Sequence, residues 1–471
     1  MQARLKFHGA AREVTGSMHL IEANGYKLAL DCGLNQGRRA EANEKNRTFP
    51  CRPQELNAVI LSHAHIDHCG KLPRLVREGF QGQVYVTSPT RDLVKILLAD
   101  SAHIQQEDAN YWNKKRVKKG DAPIEPLYTQ EDVDATARLL QARPLHEPFN
   151  IAPGIRVTFH EAGHLLGSAS VNVEIDEVNG GPVAITYSGD LGRPGMAILR
   201  DPSPLPPCDY LLCESTYGGR ETESPQGISD KLVQIVNSTV ERGGKMIIPA
   251  FAVGRTQVMV YHFHRLMRQG RIREDLPIFV DSPLAVRATD IFRKHPEVFD
   301  REATDLNNAT AATGGMLACN GCTYVQSVEE SKALHHRKEP MIIISASGMC
   351  ETGRILHHLK NNIGDPNNTI LIVGYQASHT LGRRLVEHQK RVRIFGEMYE
   401  VKARVKVFNG FSAHANAEQL ADMTAPLADR VRQAFLVHGE PDQSEELAAT
   451  MRGRGFREVL VPEPGQTFEL H

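Results

Sequence analysis

Short apolar runs broken by turn residues organise the first half of the chain. Residues 58–61 form a buried-strand run that stops at Ser62, and residues 71–77 follow with a helical pattern. Residues 155–160 and 183–187 alternate as strands. This pattern predicts sheets packed on one another with helices outside. Past Asp209 the pattern changes. Strand-like runs at 245–249, 277–281, 341–345 and 369–373 alternate with helical stripes such as 256–269. Strands alternating with helices predict a parallel, doubly wound sheet. Short strands return at 406–408 and 434–437, and a final helix is expected over 443–454. No internal repeat and no low-complexity linker interrupts the chain.

Composition narrows the class without naming a function. With 471 residues the chain is long enough for two or three domain-sized units that bury large cores. No run of eighteen apolar residues occurs, so no membrane span is expected. Met1 to Leu5 opens on polar and basic residues with no signal-peptide core, which places the protein in the cytoplasm. The net charge of −1 excludes a protein coated in basic residues, so any nucleic-acid binding is expected in a local groove. Lys114, Lys115, Arg116, Lys118 and Lys119 form a basic cluster in a helical region and read as a solvated helix face. The eight cysteines read as reduced thiols, and the lone CxxC pair, Cys319 and Cys322, as structural ones.

The chemistry concentrates in HAHIDH, which places His63, His65, Asp67 and His68 between a strand and a helix. Three imidazoles and a carboxylate in six residues pack poorly as core and are good zinc ligands. On an extended loop His63 and His65 project to the same side and can share one metal. Asp67 and His68 lie past the bend and can reach a second. Candidate partners stand singly at strand ends flanked by small residues: His164 in EAGHLLGSAS, Asp190 in YSGDLGR and His438 in FLVHGE. Asp31 in LALDCGL is a further strand-end carboxylate that either orients a ligand or makes a turn.

In these residues the chain resembles the metallo-β-lactamase superfamily, and more narrowly its β-CASP branch of nucleases. The superfamily's core motifs match at Asp31, at residues 63–68, at His164, at Asp190 and at His438. The branch motifs match at Glu214 in LCESTYG, at His414 in GFSAHAN and at His438. The resemblance implies an α/β fold: a metallo-β-lactamase αββα sandwich, residues 1–209 and 396–471, interrupted by a parallel-sheet β-CASP cap over 210–395. It implies two zinc ions, with manganese as the alternative. One is held by His63, His65 and His164, the other by Asp67, His68 and His438, and Asp190 bridges them. Asp67, Glu214 and His414 are the expected catalytic residues. Water acidified by the metals would attack phosphorus, and His414, oriented by Glu214, would protonate the leaving 3′-oxygen.

The resemblance further implies RNA as the partner, because RNA-acting members of the branch carry histidine at the position of His438, where DNA-acting members carry valine. The expected activity is hydrolysis of single-stranded RNA, endonucleolytic, leaving 5′-phosphate and 3′-hydroxyl ends. A 5′–3′ exoribonuclease and a catalytically silent RNA-processing subunit are the alternatives, and a thioester or lactone hydrolase has no need of the cap. Three turns in the cap offer phosphate donors, at 252–255, 345–354 and 374–384, with Arg255, Ser347 and Arg383 as the individual choices. His379 departs from the family pattern, which has glycine there. Neither a KH segment of the archaeal kind before Met1 nor an RNase J-type extension after His471 is expected, so sequence preference is expected from the cap or from partners. A homodimer is left open.

Overall fold

The computed structural model describes residues 3–37, 39–220, 227–377 and 379–471; Met1, Gln2 and Ser378, each inside a stretch singled out above, lie outside them. The chain forms two compact units. The first comprises Met1–Pro194, Asp201–Glu221 and Ala413–His471, and the second Gly195–Arg200 and Thr222–Ser412.

Among the described residues the first unit holds two seven-stranded sheets. One runs in the order Thr467–Leu470, Ala3–Gly9, Met18–Ala23, Tyr26–Leu30, Ala58–Ile60, Gln83–Val86 and Leu140–Ala142. The other runs Val459–Leu460, Gln433–Val437, Tyr210–Glu214, Gly181–Tyr187, Ala169–Val178, Ile155–Glu161 and Phe149–Ala152. Alternation explains how they pack. In both Ala3–Gly9 and Ile155–Glu161 every second residue is buried, and those residues meet in one core that includes Leu5, Phe7, Val157, Phe159, Leu212 and Phe435. Phe435 lies 5.0 Å from Phe7 and 4.7 Å from Phe468, ring centre to ring centre, which joins the C-terminal strands to the first one. Ala58–Ile60 is buried along its whole length and pairs parallel with Tyr26–Leu30 and Gln83–Val86, as an unbroken apolar run should. A 30-residue helix, Ser88–Val117, begins with Thr87 as its cap and a proline in its first turn.

The second unit is built on a six-stranded, wholly parallel sheet in the order Cys322–Tyr324, Ile278–Val280, Ile342–Ser345, Met246–Pro249, Thr369–Ile372 and Arg404–Val407. Its four central strands are buried throughout, which accounts for their continuous apolar text.

Two strands depart from the boundaries expected at 210 and 395. Tyr210–Glu214 pairs parallel with Gly181–Tyr187 and Gln433–Val437, so it belongs to the first unit. Arg404–Val407 pairs with Thr369–Ile372 and so extends the second unit. Tyr210–Glu214 is a buried, mainly apolar strand and Arg404–Val407 an exposed one alternating charged and apolar residues, and in each case only tertiary pairing decides the partner. Cys319 and Cys322, read above as reduced thiols, are joined as a disulfide across a turn that brings their Cα atoms to 5.2 Å.

Candidate metal centre

The candidate ligands sit in loops that follow strands of the first unit, or on the short helix that one of those loops enters. The HAHIDH segment leaves Ala58–Ile60 extended and turns at His65, which caps the short helix Ile66–Cys69. His63 and His65 therefore precede the bend, while Asp67 and His68 ride on the helix. His164 follows Ile155–Glu161, Asp190 follows Gly181–Tyr187, and His438 follows Gln433–Val437. Two glycines allow these loops to close on one another. A Cβ on Gly33 would lie 1.6 Å from the Asp67 carbonyl oxygen, and one on Gly192 would lie 2.0 Å from that of Gly163.

The donor atoms of His63, His65, His164 and Asp190 lie within 4.8 Å of one another, and so do those of Asp67, His68 and His438. Asp190 faces both groups. Its Oδ2 lies 3.5 Å from His63 Nε2 and 3.6 Å from His164 Nε2, while its Oδ1 lies 3.4 Å from His68 Nε2 and 3.5 Å from His438 Nδ1. Ring nitrogens crowd together: His63 Nε2 is 3.0 Å from His65 Nδ1, and His68 Nε2 is 3.1 Å from His438 Nε2. Asp190 is 2% exposed, and its buried Oδ1 has no hydrogen-bond partner. A buried carboxylate oxygen without a donor is costly unless a cation is meant to meet it.

Other side chains aim these ligands. Asp31 is fully buried at φ 63° and accepts hydrogen bonds from Ser62 N (2.7 Å), Ser62 Oγ (2.8 Å) and Tyr187 OH (2.7 Å). Its Oδ2 also lies 2.7 Å from His68 Nδ1, which directs His68 Nε2 toward Asp190. Ser62 Oγ meets His63 Nδ1 at 3.0 Å, and Thr216 Oγ1 meets His438 Nδ1 at 3.0 Å. Ser62, Thr216 and Tyr187 are not among the residues singled out from the sequence. Ser62 and Thr216 adjoin HAHIDH and Glu214, which is the one signal that could have found them.

Electrostatics prepare the cluster for a cation. Burial disfavours the imidazolium, so His63 and His164 titrate well below the ordinary histidine value and His65 falls to about 4. Neutral imidazole is the form that binds metal. Burial opposes charge on His68 too, but Asp190 and Asp31 outweigh it and raise its pKa. Burial also works against the Asp67 carboxylate, yet its hydrogen bond with His438 and the neighbouring histidines hold it at about 2.

Glu214 and His414 form a second feature beside the ligands. Glu214 ends strand Tyr210–Glu214 and is fully buried. Its Oε1 accepts from Leu191 N at 2.5 Å, and its Oε2 lies 3.1 Å from His414 Nδ1. Ala415 N donates to Leu191 O at 2.9 Å, so the His414 loop is pinned to the loop that carries Asp190. The His414 ring lies 4.5 Å from that of His164 and remains one-fifth exposed. Although Glu214, His414 and Asp190 also cluster closely enough for a metal, the hydrogen bonds of Glu214 are already committed to Leu191 and His414.

The three residues proposed from the cap belong to the second unit. Arg255 opens helix Arg255–Arg268. Ser347 Oγ accepts from Glu351 N and Thr352 N at 3.2 and 3.3 Å, within its own loop. Arg383 is exposed and pairs with Glu387 at 2.8 Å.

Comparison with known proteins fits this geometry. A beta-lactamase superfamily domain matches residues 26–263, a Beta-Casp domain residues 256–385, and a Zn-dependent metallo-hydrolase RNA specificity domain residues 398–462. The chain belongs to the β-CASP branch of the metallo-β-lactamases. This β-CASP protein is 37% identical to ribonuclease TTHA0252 of Thermus thermophilus, with 97% of the chain and 98% of the relative covered. It is 32% identical to transcription termination factor FttA of Methanothermobacter thermautotrophicus, over 95% of the chain and 69% of the relative. An RNase J-like protein of Methanocaldococcus jannaschii is 29% identical, with 95% of each covered. The crystal structure of a protein of unknown function from Enterococcus faecalis V583 shares the fold alone, with a TM-score of 0.55 at 13% identity over the full length of both chains.

The Glu214–His414 pair is testable by titration of the metal-free protein. Burial favours neutral His414, but Glu214 outweighs it and lifts the imidazole to about 9. Because the folded value is raised, the pair's contribution to stability is fully present below the ordinary histidine value and is lost as pH rises through about 9. Glu214→Gln is expected to move the His414 midpoint, followed by NMR of labelled histidines, well below that value. An unmoved midpoint would show that Glu214 does not control this ring.

Proposed function

We propose that the chain is a zinc-dependent ribonuclease that cuts phosphodiester bonds within single-stranded RNA. The observation that carries this reading is the division of Asp190, one oxygen toward His63 and His164 and the other toward His68 and His438. His63, His65 and His164 would hold one ion, Asp67, His68 and His438 the other, and Asp190 both. Buried neutral imidazoles, a carboxylate oxygen with no donor, and ring nitrogens in mutual contact all fit such occupancy. Bound there, two ions supply Lewis-acid stabilisation of phosphoryl charge and acidify water.

The chain's own residues supply the rest. His414 Nδ1 faces Glu214, so Nε2 is the nitrogen that presents a proton outward. Glu214 keeps that imidazole protonated and fixes its orientation. In our reading water attacks phosphorus opposite the 3′-oxygen, and His414 Nε2 protonates that oxygen as it leaves. The products are a 5′-phosphate and a 3′-hydroxyl. Asp67 contributes as a ligand with its negative charge intact. Asp31 acts through His68.

RNA as substrate is supported by relatives named as ribonuclease and RNase J-like protein, and by the RNA specificity domain over 398–462, which contains both His414 and His438. A silent subunit would have no use for a complete donor set. Arg255 at a helix start, the Ser347 turn and Arg383, whose exposed partner Glu387 is easily exchanged, are proposed as phosphate contacts.

His414→Ala is expected to lower kcat by about 10² to 10⁴ while metal content stays unchanged. Loss of metal in that variant would make His414 a ligand and remove it as the acid. For the substrate, rates on end-labelled single-stranded RNA, a matched hairpin and matched single-stranded DNA should be compared at one salt concentration. The single-stranded RNA should be cut fastest and yield fragments of intermediate size from the start. Equal rates on DNA would refute RNA as the substrate, and release of mononucleotides alone would replace internal cutting by exonuclease action.

A further inference from the structure

The basic cluster read from sequence as a solvated helix face is exposed, as that reading expects, but it lacks the acidic partners such a face carries. A solvated face carries charges of both signs that pair three or four residues apart. The last turn of helix Ser88–Val117 instead carries Lys114, Lys115 and Arg116, the turn after it carries Lys118 and Lys119, and no acidic residue lies between Ala109 and Gly120. None of these five cations forms an ion pair among the described residues, and the four lysines are exposed. Five positive charges stand together on a chain whose net charge is −1.

Aromatic rings are set among them. Tyr111 is 55% and Trp112 is 37% exposed, and their rings meet edge to face at 5.5 Å. Lys115 Nζ lies 4.2 Å from the Tyr111 ring centre and 5.1 Å from that of Trp112, and donates to Tyr111 OH at 2.6 Å. The following turn holds the end of the helix in place. Asn113 Oδ1 accepts from Ile124 N at 2.7 Å, Asn113 Nδ2 donates to Ile124 O at 2.9 Å, and Arg116 Nε donates to Ala122 O at 2.7 Å. Arg116 is therefore spent on the turn, and the four lysines are left facing outward beside two ring surfaces.

We infer that Tyr111, Trp112 and the surrounding lysines form a second contact for single-stranded RNA, remote from the metal centre. Exposed rings offer stacking platforms that accept any base, and lysines without acidic partners offer charge to the phosphates. Rings and charge together distinguish this patch from a surface that merely repels other cations. The inference rests on RNA being the substrate.

Its position sets a length requirement. The start of the helix is tied to the loop of His164, because Thr87 Oγ1 and Thr90 Oγ1 both donate to Gly167 O, at 2.6 and 2.8 Å. Tyr111 lies 24 residues beyond Thr87, or about 36 Å at about 1.5 Å per residue. At about 3.4 Å per stacked nucleotide, an RNA needs roughly ten nucleotides to touch both places. Longer RNAs should gain affinity from the patch, and shorter ones should not.

Trp112 is the one tryptophan of the chain, so its fluorescence reports on this patch alone. The metal-loaded enzyme should be mixed with RNAs of roughly six and roughly twenty nucleotides in a stopped-flow instrument and read before turnover. Fluorescence should fall with the long RNA and stay level with the short one. In parallel, Lys114→Glu, Lys118→Glu and Lys119→Glu combined should raise KM for the long RNA roughly five-fold or more and flatten its salt dependence by about 2 in log–log slope. Turnover of the short RNA should be unchanged in this variant, which shows that it is folded and that the metal centre works. Tyr111→Ala should raise KM for the long RNA in the same way. If the wild-type enzyme cleaves both RNAs with no change in fluorescence and equal length dependence in all variants, the patch is not an RNA contact although the ribonuclease reading stands. A fluorescence change that follows protein concentration instead of RNA would assign the patch to self-association and overturn the inference.

Discussion

Asp190 is where the centre's electrostatics are decided. Its carboxylate is buried, one oxygen has no donor, and histidines approach it from three strand-end loops and one short helix. In low dielectric an anion so placed demands compensating positive charge. Of the surrounding imidazoles, His68 is held protonated by Asp190 and Asp31, while burial holds His63, His65 and His164 neutral. Two divalent cations, as proposed, would satisfy the carboxylate and the ring nitrogens together. On that constraint hang the closeness of the loops, the glycines that permit it and the hydrogen bonds that orient each ring.

The scaffold answers that demand with rigidity. Ligands stand at strand ends of both sheets, and the sheets are locked by a shared core in which Phe7, Phe435 and Phe468 touch. Asp31 joins the two halves of the HAHIDH segment, because it bonds both Ser62, before the bend, and His68, beyond it. Glu214 links the loop after Asp190 to His414, so the proposed bridging ligand and the proposed acid share one support. Positioned groups of this kind lose little on reaching the transition state, which is what a phosphoryl transfer needs.

Much of this was legible in the amino-acid sequence, for stateable reasons. HAHIDH concentrates four donors in six residues, and buried strands such as Ile342–Ser345 announce themselves by continuous apolar text. What could not be read depends on partners far away in the chain. Tyr210–Glu214 and Arg404–Val407 lie near the ends of the inserted segment, and neither sequence says which sheet it joins. Tyr187 reaches Asp31 across 156 positions, and no local pattern records that contact. His438 adopts φ 53° and donates its N–H to Ala10 O, a geometry that side-chain chemistry alone does not foretell. The exposed rings beside the basic cluster gain meaning only once the helix and its turn fix them together.

The central claim is that one buried carboxylate is shared by two metal ions. X-ray absorption on zinc-replete protein, with zinc per chain measured on the same sample, tests it most directly. The account predicts two zinc ions per chain, imidazole nitrogens at about 2.0–2.1 Å and a zinc–zinc neighbour at about 3.5–4 Å. One ion per folded chain, or two ions with no metal neighbour within that range, would contradict it.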